Sequence, residues 1–127
     1  MNNQRPEFDR IITFTSTPFT SSWQWTQKSN WKKAIININN QIKYAIKKLE
    51  FAEVQILMVV NNRKKFLGTI TDGDVRRGLI KGINLDDSID SIVNFNPIVA
   101  PPGTEINSVK EIMSINSINQ LPIIDKK

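Results

Sequence analysis

Phe66-Leu67-Gly68-Thr69-Ile70-Thr71-Asp72-Gly73-Asp74-Val75-Arg76-Arg77 decides how this chain is read. A short apolar strand breaks into a polar, glycine-containing helix start, with Thr71, Asp72 and Asp74 where an N-cap and first turn belong. The first N–H groups of a helix have no partner inside it, so a phosphate can rest on them, while a nearby carboxylate can hold ribose hydroxyls. Two arginines follow at once. These residue types at this spacing suit a nucleotide.

Working outward, Val75, Leu79 and Ile80 carry the helix on, and Gly82 can end it in a left-handed conformation. Upstream, residues 55–60 and 65–70 read as two strands joined by the polar turn Asn61 to Lys64, a hairpin. Before them, Ala34 to Ile36 reads as a short strand. A helix follows, with Asn39 or Asn40 as N-cap and Ile42, Ala45, Ile46 and Leu49 on one apolar face, fading near Phe51. The order is strand, helix, strand, strand, helix.

The same pattern starts again. Ile42 and Ile106, Ala45 and Val109, Leu49 and Met113, Val54 and Ile118, Leu57 and Leu121, Val59 and Ile123, and Val60 and Ile124 are each 64 positions apart. The second copy reaches only Lys127, which corresponds to Arg63, so it holds the first half of the unit without a second glycine turn or last helix. An open edge is therefore expected on the strand 120–124, with apolar surface on Leu79, Ile112 and Met113. A second chain or an aromatic arm at the N-terminus could cover it, and self-association is the favoured expectation. Between the copies, Leu85 to Val93 reads as a connecting helix, with Asp86 or Asp87 near its start and Ile89, Ile92 and Val93 facing inward. Residues 1–30 differ in character: they are rich in Thr, Ser, Gln and aromatics, with Pro6 and Pro18 as breakers. Ile12 and Phe14 alternate with threonines, and Trp23 with Trp25 flanks Gln24, which fits a loose hairpin as well as a disordered or partly docked arm.

The chain has 127 residues, enough for one compact core. Cysteine and histidine are absent, which removes disulfides, the thiol nucleophile, and the commonest general base and zinc ligand. The net charge of +5 is scattered: Lys43, Lys47 and Lys48 lie opposite an apolar stripe, and Arg63 to Lys65 fill a turn. Solvated surface explains both groups, so no nucleic-acid partner is expected. No run approaches the roughly 18 apolar residues of a membrane span, and no signal peptide is recognisable, so a cytoplasmic location without a membrane partner is expected. Asp72-Gly73-Asp74 fits metal chemistry poorly, because Arg76 and Ile83 fall where a calcium loop needs its fifth and twelfth ligands. As an aspartyl-phosphate nucleophile pair it lacks a buried strand and a later acidic pair. No catalytic or metal residue is assigned. Trp23, Trp25 and Trp31 read as core anchors or part of the arm, since no basic groove interleaves with them.

Over Trp31 to Asp125 the chain resembles the CBS domain family, small modules that occur as tandem pairs and bind adenosyl compounds in the cleft between the copies. The family's motif runs glycine, apolar residue, any residue, Thr or Ser, two residues, Asp. Gly68 to Asp74 fit it, with Thr69 only half apolar. The resemblance implies an α+β fold, with a β-α-β-β-α module over residues 31–83, a connecting helix over 84–96, a truncated second repeat over 97–127, and a non-family arm over 1–30. It implies a ligand-binding set of Gly68, Thr71, Asp72, Asp74, Arg76, Ile36 and Asn37. Thr71 would touch phosphate or ribose, Asp74 would hold the ribose hydroxyls, Arg76 or Arg77 would neutralise phosphate, and Ile36 and Asn37 would lie by the adenine. The expected function is a non-catalytic regulatory module for AMP, ATP or S-adenosylmethionine, with no required cofactor and with pairing into a homodimer. Gly68 to Leu79, Leu85 to Asp87 and Asn96 to Ile98 further resemble the pair that precedes sugar-phosphate nucleotidyltransferase domains. A fragment of such an enzyme without its catalytic domain, or a ligand-free dimerisation module, are the alternative expectations.

Overall fold

The computed structural model describes residues 8–16, 21–25, 32–51 and 55–124. Trp31 and Val54 lie outside these residues, as do residues 125–127 and the rest of the N-terminal arm. Among the described residues the chain is mixed α+β, with two three-stranded sheets and three α-helices.

The first half is built from β3 (Ile35–Asn37), α1 (Ile42–Phe51), β4 (Ile56–Val60), β5 (Phe66–Thr71) and α2 (Asp72–Ile80). A 3-10 turn at Lys32–Ala34 delays the first strand by one residue from its expected start. Strand β3 pairs parallel with β4 through the α1 crossover, and β4 pairs antiparallel with β5, giving the sheet order β3-β4-β5. Ile42, Ala45 and Leu49 on one face of α1 are buried with Leu57, Val59 and Ile70 of the sheet and Val75 of α2. At about 25 cal/mol per Å² of apolar surface buried, this stripe holds the helix in place. Helix α2 ends where expected, with Gly82 at φ 97°.

The second half comprises β1 (Phe8–Ser16), β2 (Ser21–Trp25), α3 (Ile106–Ile115) and β6 (Gln120–Ile124), with sheet order β2-β1-β6. Strand β1 runs antiparallel along β6, so the edge expected to lie open is covered by the chain's own N-terminal segment. The two halves share a register. Ile56 faces Thr71, Leu57 faces Ile70 and Met58 faces Thr69 in the first half. Gln120 faces Thr13, Leu121 faces Ile12 and Pro122 faces Ile11 in the second. With the 64-residue repeat, Thr13 stands where Thr71 stands, and a parallel bridge between Ala100 and Ile123 repeats the β3–β4 pairing. Ile12, Leu121 and Ile123 pack on Val109 and Met113 of α3, with Phe14 and Trp23 closing that cluster. The Phe14 and Trp23 rings lie 4.5 Å apart, and Lys110 of α3 sits over Trp23 at 5.3 Å. The opposite face of β1 and β6 joins the first core through Ile11 and Ile124.

The equivalence stops at Thr13. Strand β5 ends at Thr71 and turns into α2, whereas β1 runs on to Ser16. The Thr71 hydroxyl therefore finds partners in the helix it caps, and the buried Thr13 Oγ1 has none.

The segment 84–96 is not the connecting helix expected from its spacing. It forms one 3-10 turn, Ile89–Ser91, and otherwise runs as a strap whose backbone groups bond elsewhere. The Asp87 and Leu85 carbonyls accept from Ile42 and Lys43 N–H at 2.9 and 3.0 Å, so the strap satisfies orphan donors of α1. Neither Asn39 nor Asn40 caps the helix in this way. Asn40 Nδ2 donates to the Asn37 carbonyl, and Asn39 N–H donates to Asn37 Oδ1. Further on, Thr69 and Asn94 exchange backbone hydrogen bonds of 3.0 and 2.9 Å, laying the strap against β5.

Candidate functional site

Thr71 is the N-cap of α2, in extended conformation at φ −119° and ψ 170°. Its hydroxyl accepts from Asp74 N–H at 3.3 Å and donates to Asp74 Oδ2 at 3.1 Å, while Thr71 N–H donates to the same oxygen at 2.9 Å. This reciprocal capping box is a sufficient structural reason for a Thr and an Asp three residues apart. The other oxygen, Asp74 Oδ1, accepts from Arg77 Nη2 at 2.7 Å. The Asp74 side chain is 16% exposed and that of Arg77 is 65% exposed. A fixed, mostly buried carboxylate at a helix start thus lies under an exposed cation.

A cleft of about 330 Å³ opens beside Thr71, between the two halves. Ile56, Thr69 and Thr71 form its first-half wall, Ile118 to Gln120 and Pro122 its second-half wall, and Asn94 with Asn96 to Ile98 its third side. Two hydroxyls and several amides converge on an otherwise apolar space, a composition suited to a small, partly polar ligand.

Thr71 reaches this cleft, and Asp74 is one hydrogen bond behind it. Asp72 at the start of α2 and Arg76 one turn later are exposed and do not line it. Gly68 is buried under the strap: a Cβ there would lie 2.2 Å from the Asn94 carbonyl oxygen and 2.8 Å from Val93 Cγ1, so the strap's approach requires glycine. Ile36 is 2% exposed in the first core. Asn37 pairs with Val60, at the far end of β4 from Ile56, and its Nδ2 donates to Asn62 at 3.0 Å. Neither is brought to the cleft. Every cleft residue other than Thr71 lies outside the expected set, and Asn96 to Ile98 and Ile118 to Gln120 make up much of the wall facing Thr71. The repeat offset signals them, because Asn96 to Ile98 lead into the second copy's first strand, so the wall opposite Thr71 comes from the other copy.

Among the described residues, no group of three or more His, Cys, Asp or Glu side chains could hold a metal ion, and no helix is long and apolar enough to cross a membrane.

No family model matches the chain. It is similar to an uncharacterized protein of Methanocaldococcus jannaschii, 31% identical over 68 residues, covering 54% of this chain and 24% of the relative. It is also similar to inosine-5'-monophosphate dehydrogenase of Nitrosopumilus maritimus, 29% identical over 90 residues, covering 71% and 18%. The chain thus spans a quarter or less of these two relatives. A CBS domain-containing protein of Dictyostelium discoideum is 26% identical over 103 residues, covering 72% and 71%. Among solved structures, a CBS domain protein from Pyrobaculum aerophilum complexed with AMP aligns with a TM-score of 0.64 at 16% identity, over 76% of this chain and 79% of that one. A CBS domain pair in complex with 5'-methylthioadenosine and S-adenosyl-L-methionine aligns with a TM-score of 0.62 at 27% identity, over 74% and 78%. The fold of this chain is that of a CBS domain pair.

Proposed function

We propose, from the CBS-pair fold, that this chain is a non-catalytic regulatory module that binds an adenine nucleotide in the cleft between its halves. The observation that carries this reading is the capping box of Thr71 and Asp74 at the mouth of a cleft of about 330 Å³. In this reading Thr71 meets phosphate or ribose, Asp74 accepts the ribose hydroxyls, and the base lies against Pro97, Ile98 and Ile118. The neighbours solved with AMP and with adenosyl ligands support the ligand class. The enzyme it regulates would be attached or a partner, and a sugar-phosphate nucleotidyltransferase fits the resemblance carried by Asn96 to Ile98. Exposed Leu79 and Ile80 on α2 favour pairing of two copies through their helices.

Titration calorimetry with AMP, ATP and S-adenosylmethionine tests the site. Asp74→Asn keeps an acceptor for Thr71 but removes the charge. Charge-assisted hydrogen bonds contribute about 1.5 to 3 kcal/mol, so nucleotide affinity should fall at least about tenfold. No heat with any of the three ligands, or equal affinity in the variant, rejects the reading.

A further inference from the structure

Thr69 is a polar residue in the cleft wall, yet it is only 3% exposed. Its backbone is held on both sides, paired with Met58 of β4 and exchanging two hydrogen bonds with Asn94 of the strap. The Thr69 hydroxyl makes no hydrogen bond to any described residue. It is not sealed off either: among the described residues, the one buried side-chain polar atom that is both closed to solvent and unpartnered is Thr13 Oγ1. The little surface Thr69 keeps therefore faces the cleft it lines. Water in the cleft can satisfy such a hydroxyl, and a ligand that displaces this water must replace its hydrogen bond or leave a buried polar group unmade. Strand packing gives no reason for the hydroxyl, because valine would serve it as well, and the family motif is apolar at this position.

Strand geometry says which part of a ligand meets it. Residues two apart on a strand share a face, so at about 3.3 Å per residue Thr69 stands about 6.6 Å from Thr71, on the more closed side. With the ribose at Thr71, that is where the base lies. We propose that Thr69 reads the base, its hydroxyl accepting a hydrogen bond from the exocyclic amine of adenine. This deepens, and rests on, the placing of a nucleotide in the cleft with its ribose at Thr71 and Asp74. The faces of the base meet Pro97, Ile98 and Ile118, and its polar edge meets Thr69. The residue thus selects a purine with a polar substituent at this edge over one without, since a site built to hydrogen-bond a group rejects the analogue that lacks it.

Titration calorimetry of AMP and of purine riboside 5'-monophosphate, which lacks only the amine, tests this on the wild type and Thr69→Val. Valine keeps the β-branched shape and removes the hydroxyl alone. The wild type should prefer AMP by about tenfold, and in Thr69→Val the preference should shrink to about twofold or less, through weaker binding of AMP. Thermal unfolding of the free proteins should give Thr69→Val an equal or higher Tm, because the hydroxyl has no protein partner to lose. Equal affinity of the wild type for the two ligands, or the same preference in both proteins, overturns the role of Thr69 and leaves the site standing. A lower Tm with the preference intact assigns the hydroxyl to the fold and overturns the proposal as well. Failure of AMP to bind the wild type overturns the site and the base reading with it.

Discussion

Replacing Gly68 by alanine tests how closely the strap packs on β5. Gly68 is not at positive φ, so alanine meets no conformational barrier, and its effect comes from contact alone. The new Cβ would lie 2.2 Å from the Asn94 carbonyl oxygen and 3.0 Å from the carbonyl carbon. Backbone cannot rotate away as a side chain can. The strap must retreat by about 1 Å, which strains or breaks the two hydrogen bonds between Thr69 and Asn94, each contributing about 0.5 to 1.5 kcal/mol. Overpacking adds about 1 to 3 kcal/mol, and reduced freedom of the unfolded chain returns about 0.4 to 1 kcal/mol. A net loss of about 2 to 4 kcal/mol should lower Tm by about 10 °C at this chain length. Thermal and urea unfolding followed by circular dichroism measure it. A Tm within about 2 °C of the wild type refutes the packing argument.

Thr13→Val removes a buried hydroxyl without a partner, whose burial costs about 1 to 3 kcal/mol, so the variant should be more stable by about 1 kcal/mol in urea unfolding. A loss of stability would mean that Oγ1 is satisfied by water. Ile12→Ala should cost about 2 to 5 kcal/mol, because Ile12 is 1% exposed between β6 and α3, and the same exchange at exposed Ile115 should cost under about 0.5 kcal/mol. Equal effects at both positions would rule out docking of β1 on β6. Loss of the hairpin from β6 should also red-shift and quench Trp23 fluorescence, since Trp23 packs on Phe14 under Lys110. An emission spectrum unchanged by Ile12→Ala would count against that packing.

The apolar period of α1 and the 64-residue repeat made the first half and the α3–β6 unit legible, because helix faces and buried strands are local patterns. The strap at 84–96 was not. Asp86, Ile89, Ile92 and Val93 have helical spacing, but the strap's carbonyls at Leu85 and Asp87 bond to α1 and Asn94 bonds to β5, so tertiary hydrogen bonds override the local preference. Docking of β1 was equally hidden. Alternation in residues 11–14 announces a strand but not its partner, which lies about a hundred positions away. The glycine spacing pointed to Thr71 and Asp74, and the structure places Thr71 at the cleft with Asp74 one hydrogen bond behind it, Gly68 under the strap, Ile36 in the first core and Asn37 beside Asn62. The walls opposite Thr71 come from the other repeat, and a motif read within one repeat does not contain them.

The pairing of β1 with β6 also sets a schedule for the chain as it is made. Thr13 leaves the ribosome about a hundred residues before Gln120, which at about 5 to 20 residues per second is a wait of about 5 to 20 s. The first half can assemble during that interval from neighbours in sequence. Ile11, Ile12, Phe14 and Trp23 cannot be buried until β6 arrives, and closing so long a loop costs about 4 kcal/mol of chain entropy before any contact forms. Completion of the second half is therefore the late step, and β1 with β2 keeps its apolar face exposed until β6 is made.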